Sequence, residues 1–201
     1  MHIEVVLGCV LAQAPTNGET PIFKTIPGST SGQIREGVEV AGSGITTYQA
    51  YDEAVAAATS DWLHAYSASE AVAQPRRRPF AAVAGFVLPH CPFFAPKPLF
   101  DYYYERVNVP ALESDTDQPR PIRRWRANRD MAEPLTEHQV RVARAAYLGL
   151  CEHLDHQIGK VLAALEESGL AENTLVIYCS DHGEVAGERE CIKQSCHSRC
   201  L

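Results

Sequence analysis

The sequence predicts an α/β fold, a layered and mostly parallel sheet with helices on both faces. Two long amphipathic patterns, opening at Thr46 and Thr136, alternate with two short apolar runs, Phe80–Leu88 and Thr174–Cys179, in the order helix, strand, helix, strand. The run at 80–88 is nearly continuous in its apolar character, as a strand covered on both faces is. Each run also delivers chemistry-bearing residues to its carboxyl edge, where open α/β sheets bind ligands.

The elements follow in chain order. Met1–Ala14 holds an apolar run from Val5 to Ala12, but Glu4 stands where a leader peptide needs a basic region and no Lys or Arg precedes Lys24. A buried strand or a ragged start is expected there. Residues 15–45, rich in Gly, Pro, Ser and Thr, read as an irregular loop. Thr46 and Gln49 have capping-box spacing, and Tyr48, Tyr51, Val55, Ala58, Trp62 and Tyr66 recur at helical intervals as a core-facing stripe. The tract Pro75–Pro79, with three arginines, reads as a solvated turn before the first buried strand.

Pro89, Pro92, Pro96 and Pro98 then disfavour helix and ladder alike, so His90 is expected in a rigid loop at the end of a strand. Residues 108–134 form a charged, proline-bearing excursion whose arginines 123, 124, 126 and 129 are either a solvated face or an anion patch. The last long helix opens at Thr136 with Gln139 in box spacing and closes near Gly169, a span of about 50 Å. Its stripe is Val140, Ala143, Tyr147, Leu150, Leu154, Ile158, Val161 and Leu165, which leaves Cys151, His153, Asp155 and His156 as surface residues.

Composition bounds the function. With 45% hydrophobic and 21% charged residues among 201, the chain is globular, and 18 − 25 gives a net charge of −7. That balance argues against a broad nucleic-acid or membrane-binding surface, so an anionic ligand needs a locally positive site. No segment is apolar for the length of a membrane span. Four of the seven cysteines, Cys9, Cys91, Cys151 and Cys179, fall in segments that read as buried, which suits reduced thiols and a cytoplasmic setting. Cys191, Cys196 and Cys200 with His197 lack the paired short spacings of a zinc site.

The leading site candidates are Asp181 and His182. A carboxylate oxygen and a neutral imidazole nitrogen, side by side after a strand and followed by Gly183 to let the backbone turn, can face one divalent cation. The competing reading has Asp181 capping a following helix and His182 solvated.

Three segments in this order resemble the sulfatases of the alkaline-phosphatase superfamily, most closely their choline-sulfatase and iduronate-sulfatase-like branch. They are Leu88-Pro89-His90 with Pro92-Phe93 and Pro96-Lys97, the helix tail Asp155-His156-Gln157-Ile158-Gly159-Lys160-Val161-Leu162, and Ser180-Asp181-His182-Gly183-Glu184 with Gly187-Glu188. The resemblance implies an alkaline-phosphatase-like fold and hydrolysis of a small-molecule sulfate ester at a divalent cation, Ca2+ in type. A formylglycine made from cysteine would be the nucleophile. It implies Asp181 and His182 as metal ligands, His90 as general acid at the leaving oxygen, and Lys193 as the cation neutralising sulfate.

The family's nucleophile motif, Cys-x-(Pro or Ala)-Ser-Arg, is not found in this sequence, and Cys196-His197-Ser198-Arg199 is one residue short of it. The resemblance therefore divides the chain into an irregular segment 1–45, a partial catalytic domain 46–189 and a divergent tail 190–201, as in an internal fragment. A phosphodiesterase or phosphonate hydrolase of the same superfamily and a non-catalytic remnant are the alternatives.

Overall fold

A computed structural model describes residues 4–7, 35–69, 79–110, 133–184 and 186–187. The fold is α/β, built of helices and parallel strand pairs in two compact units, 1–23, 46–88 and 154–177 forming the first and 24–45, 89–153 and 178–201 the second. The order of elements is β1 (Glu4–Leu7), α1 (Arg35–Glu39), β2 (Gly42–Ser43), α2 (Thr47–Ala68), β3 (Phe80–Val83), β4 (Phe94–Ala95), α3 (Lys97–Tyr104), α4 (Glu137–Glu167) and a 3-10 turn, Ala171–Asn173. No helix among the described residues is long and apolar enough to cross a membrane.

In the first unit β1 pairs in parallel with β3, Glu4 opposite Phe80 and Leu7 opposite Val83. Helix α2 starts as its sequence requires. Thr46 is extended, its side chain accepts at the first turn, and the Gln49 side chain returns to the Thr46 N–H, completing a capping box of about 1 kcal/mol. Its buried residues are Gln49, Asp52, Val55, Ala56 and Leu63, so the stripe differs from the expected one: Ala58 is exposed and Tyr48 and Tyr51 are only half-buried. Two polar side chains, Gln49 and Asp52, occupy the buried face because each has a dedicated partner there.

Leu63, Ala164, Leu165 and Leu170 form the core of this unit, flanked by Trp62, Tyr66 and Phe80 with ring centroids 5.0–5.3 Å apart. Gly169, at φ +69°, ends the long helix in the left-handed conformation that its position in the sequence anticipates. Ser67 Oγ donates to the Ser168 carbonyl at 2.7 Å, joining the ends of α2 and α4.

Both expected strands are shorter or differently placed. Only Phe80–Val83 of the 80–88 run lies in a ladder, and Ala81, Ala82 and Val83 are exposed rather than covered. Residues 174–179 are extended without a ladder, and Leu175, Val176, Ile177 and Tyr178 are 85%, 54%, 77% and 74% exposed. An apolar run signals burial only where other layers exist to cover it, and none of the described residues does so here.

In the second unit Gly42–Ser43 pairs in parallel with Phe94–Ala95, extended by Gly42 N–H to Phe93 O (3.0 Å) and Gly44 N–H to Ala95 O (2.8 Å). The expected irregular segment thus holds a helix and a strand within 35–43, while β1 falls where a strand is expected. The proline-rich loop is likewise more regular than its composition suggests. Pro96 precedes α3 and Pro98 lies in its first turn, where a missing N–H costs nothing.

Helix α4 opens at Thr136, whose N–H donates to Gln139 Oε1 at 2.9 Å while its hydroxyl accepts from Gln139 N–H at 3.2 Å. Its first half belongs to this unit, with Val140, Ala143, Ala145, Ala146 and Leu150 almost fully buried. The Tyr103 hydroxyl on α3 bonds the Glu152 carboxylate, which pushes its pKa up to about 12. Asp155 and His156 are exposed as expected, whereas Cys151 and His153 are half-buried and Cys179 is exposed instead of buried. Cys9, arginines 123, 124, 126 and 129, Cys191, Lys193, Cys196, His197 and Cys200 lie outside the described residues.

The Asp52 carboxylate is fully buried and accepts the backbone N–H groups of Val87 (2.9 Å) and Leu88 (3.0 Å). Burial raises its pKa above the ordinary 3.8, against the two hydrogen bonds, which lower it. Asp52→Ala leaves two inward N–H groups without this acceptor and is expected to lose roughly 2–4 kcal/mol in denaturant unfolding. Because the folded state holds the Asp52 proton more tightly than the unfolded state, stability relative to Asp52→Asn is highest at acid pH. It declines as pH rises from 3.8 through the raised folded value, and unfolding curves collected across pH 3–7 check this. The bare apolar segment 175–178 is expected to drive self-association, so Ile177→Lys should lower the apparent mass in light scattering.

Candidate functional site

The first candidate loop follows Leu88. Leu88, Cys91, Phe93 and Ala95 are buried in alternation with partly exposed neighbours, which pins a segment having little regular structure of its own. Cys91–Pro92 is a cis peptide. His90 Nδ1 lies 2.5 Å from the Cys91 carbonyl, and since a carbonyl only accepts, Nδ1 carries the hydrogen.

The second loop follows the extended segment 174–179. Asp181 Oδ1 accepts the His182 N–H at 2.9 Å, and Ser180 Oγ donates to the His182 carbonyl at 2.7 Å. His182 Nδ1 lies 3.0 Å from the Gly183 carbonyl, so it too is the protonated nitrogen, and Nε2 faces Asp181 Oδ2 at 3.4 Å. A second imidazole proton or a cation between Nε2 and Oδ2 would each suit this geometry. The Asp181 side chain is 85% exposed and that of His182 21%, so one face of the pair is open.

Gly183 does not make the turn its sequence position suggests. It has no positive φ and a Cβ there would meet nothing within 4 Å. The reversal comes at Ala186 (φ 49°) and Gly187 (φ 93°), two successive left-handed residues. Gly187 is required there twice over, by φ and by space, since an added Cβ would sit 2.3 Å from Val140 Cγ1.

Helix α4 receives both loops. Val140, Arg144, Tyr147 and Cys151 recur at spacings of four, three and four, which puts them on one helix face. Val140 packs on Gly187, and Arg144 Nη1 donates to the Ala186 carbonyl. Tyr147 shares a hydrogen bond with the Cys151 thiol and feels the charges of Glu184 and Tyr178. Burial first, then these neighbours, hold its hydroxyl far above the usual tyrosine range. Burial likewise pushes the Cys151 thiol up. The Tyr147 ring also meets Phe93 edge-on at 5.8 Å, and Gly149 allows Ala95 so near that a Cβ would lie 2.8 Å from it.

His90, Asp181 and His182 thus fall in one compact unit. Sequence periodicity places Val140 and Tyr147 on a core stripe, reads Cys151 as surface and does not single out Arg144. The recurrence 140, 144, 147, 151 was the available signal, obscured by the charge on Arg144. Among the described residues no three His, Cys, Asp or Glu side chains gather as a metal cluster.

A family model for sulfatases matches residues 14–199. The chain is 31% identical over 149 residues to a choline-sulfatase of Rhizobium meliloti (strain 1021), covering 72% of this chain and 29% of that protein. It is 34% identical over 122 residues to an arylsulfatase of Clostridium perfringens, with 55% and 23% covered. It is 31% identical over 136 residues to a multifunctional alkaline phosphatase superfamily protein, PehA, of Trinickia caryophylli, with 55% and 24% covered. The chain spans less than a third of the length of these curated relatives.

Gly187→Ala is expected to cost roughly 2–4 kcal/mol in denaturant unfolding, from left-handed strain plus collision with Val140. Adding Val140→Ala relieves the collision but not the strain, so the double variant should recover only part of the loss.

Proposed function

This chain belongs to the sulfatase family, and on that premise we propose that its candidate site is part of a sulfuric-ester hydrolase centre, taking a small sulfate monoester beside a divalent cation of calcium type. The observation that carries the reading is the pair Asp181 Oδ2 and His182 Nε2, 3.4 Å apart on an open face, with His182 Nδ1 turned to the Gly183 carbonyl. This donor set fits a divalent cation in kind and falls short in number, because calcium takes six to eight oxygen ligands. Asp181 and His182 are the residues that would hold the cation. When bound, it would supply Lewis-acid charge to the sulfate oxygens.

The chain's own residues then divide the remaining work. The bond from Nδ1 to the Cys91 carbonyl fixes the His90 ring, and in its imidazolium form Nε2 would hold the proton that a departing alcohol oxygen needs. Lys193, outside the described residues, is the proposed counter-charge for sulfate. Free thiols at Cys91, Cys151 and Cys179 suit a reducing compartment, and a cytoplasmic location is part of the proposal.

A phosphodiesterase or phosphonate hydrolase is the second reading. The similarity to the alkaline phosphatase superfamily protein of Trinickia caryophylli favours it, and a cation site that grips one tetrahedral anion accepts the other. The missing Cys-x-(Pro or Ala)-Ser-Arg motif favours a non-catalytic role for this stretch taken alone.

Addition of calcium is expected to move the amide resonances of Asp181, His182 and Gly183 with a dissociation constant of about 1 mM or weaker, and not to do so in Asp181→Ala. Unmoved resonances, or equal movement in the variant, would overturn the cation site. Turnover of a chromogenic aryl sulfate is expected to be undetectable for want of the nucleophile motif. Robust turnover lost in Asp181→Ala would show that this stretch is catalytic by itself.

A further inference from the structure

The backbone that follows Asp181 and His182 is held in an unfavourable shape. Ala186 is a left-handed residue with a Cβ, a conformation costing about 1–2 kcal/mol, and Gly187 continues it. Within the loop, the Glu184 carboxylate accepts the Ala186 N–H at 3.2 Å. Such a shape persists only where neighbours over-determine it.

Those neighbours come from a single face of α4. Val140 fills the space a Gly187 side chain would take, and the Arg144 guanidinium donates from Nη1 to the Ala186 carbonyl, a bond strengthened by charge. The Nε of Arg144 is fully shielded from solvent with no hydrogen-bond partner among the described residues, so the guanidinium lies sunk against the loop instead of reaching into water. One turn further along, the Tyr147 ring meets Phe93 edge-on and its hydroxyl bonds Cys151.

We propose that Arg144 is a positioning residue for the Asp181–His182 loop, locking the left-handed turn through the Ala186 carbonyl. It touches no reacting group. It sets where the carboxylate and imidazole point. The proposal takes Asp181 and His182 as the site, as the functional reading does, but its consequences appear in the free protein and need neither turnover nor metal.

The test is amide hydrogen exchange by NMR on the full chain, comparing wild type with Arg144→Gln and Arg144→Lys. Arg144→Gln is expected to speed exchange at Ala186 and Gly187 about tenfold and to shift the Asp181 and His182 amide resonances, with α2 core amides such as Val55 unchanged. Arg144→Lys, retaining a donor and the charge, is expected to recover part of the protection. Wild-type exchange at Ala186 and Gly187 in Arg144→Gln overturns the proposal. Equal acceleration at Val55 also overturns it, because that marks global destabilisation. Terbium, a luminescent calcium probe, separates the two readings. If terbium does not bind while the exchange pattern holds, the cation site fails and the positioning role stands.

Discussion

Backbone-to-helix contact at Gly149 and Gly187 is the constraint on which the candidate site depends. A side chain at either position would drive an atom to 2.8 Å of Ala95 or 2.3 Å of Val140. With hydrogen in place of a Cβ, the loop after His90 and the loop after His182 both come down onto α4. Neither loop has a ladder to fix it beyond the two residues of β4, so surface matching against the helix replaces hydrogen-bond register as the source of order.

That arrangement explains why polar residues appear on buried surfaces. Asp52 spends its carboxylate on the N–H groups of Val87 and Leu88, the last two residues before Pro89. Arg144 does the converse, supplying a donor to the Ala186 carbonyl in a turn whose shape presents that oxygen inward. Each satisfies backbone that no sheet or helix satisfies, at the cost of carrying a charge away from water. Gln49 serves its own helix terminus in the same way.

The Asp181–His182 pair is different in character. Its Oδ2 and Nε2 face one another at 3.4 Å with the surroundings open on one side, where the other polar groups named above meet backbone. Membership of the sulfatase family gives the proposed site its chemical class of ligand.

The sequence by itself determined the two long helices, the α/β class and the family. Capping boxes at Thr46 and Thr136 and the left-handed stop at Gly169 are local effects, encoded within a few neighbouring residues, so they are legible in one dimension. Tertiary structure alone decided the extent of the strands, because apolar runs at 80–88 and 174–179 become ladders only where a neighbouring strand is present. It also moved the turn from Gly183 to Ala186–Gly187 and put Arg144 and Cys151 on the packed face of α4. Those outcomes depend on atoms forty residues apart competing for the same space, and no local pattern records which of them yields.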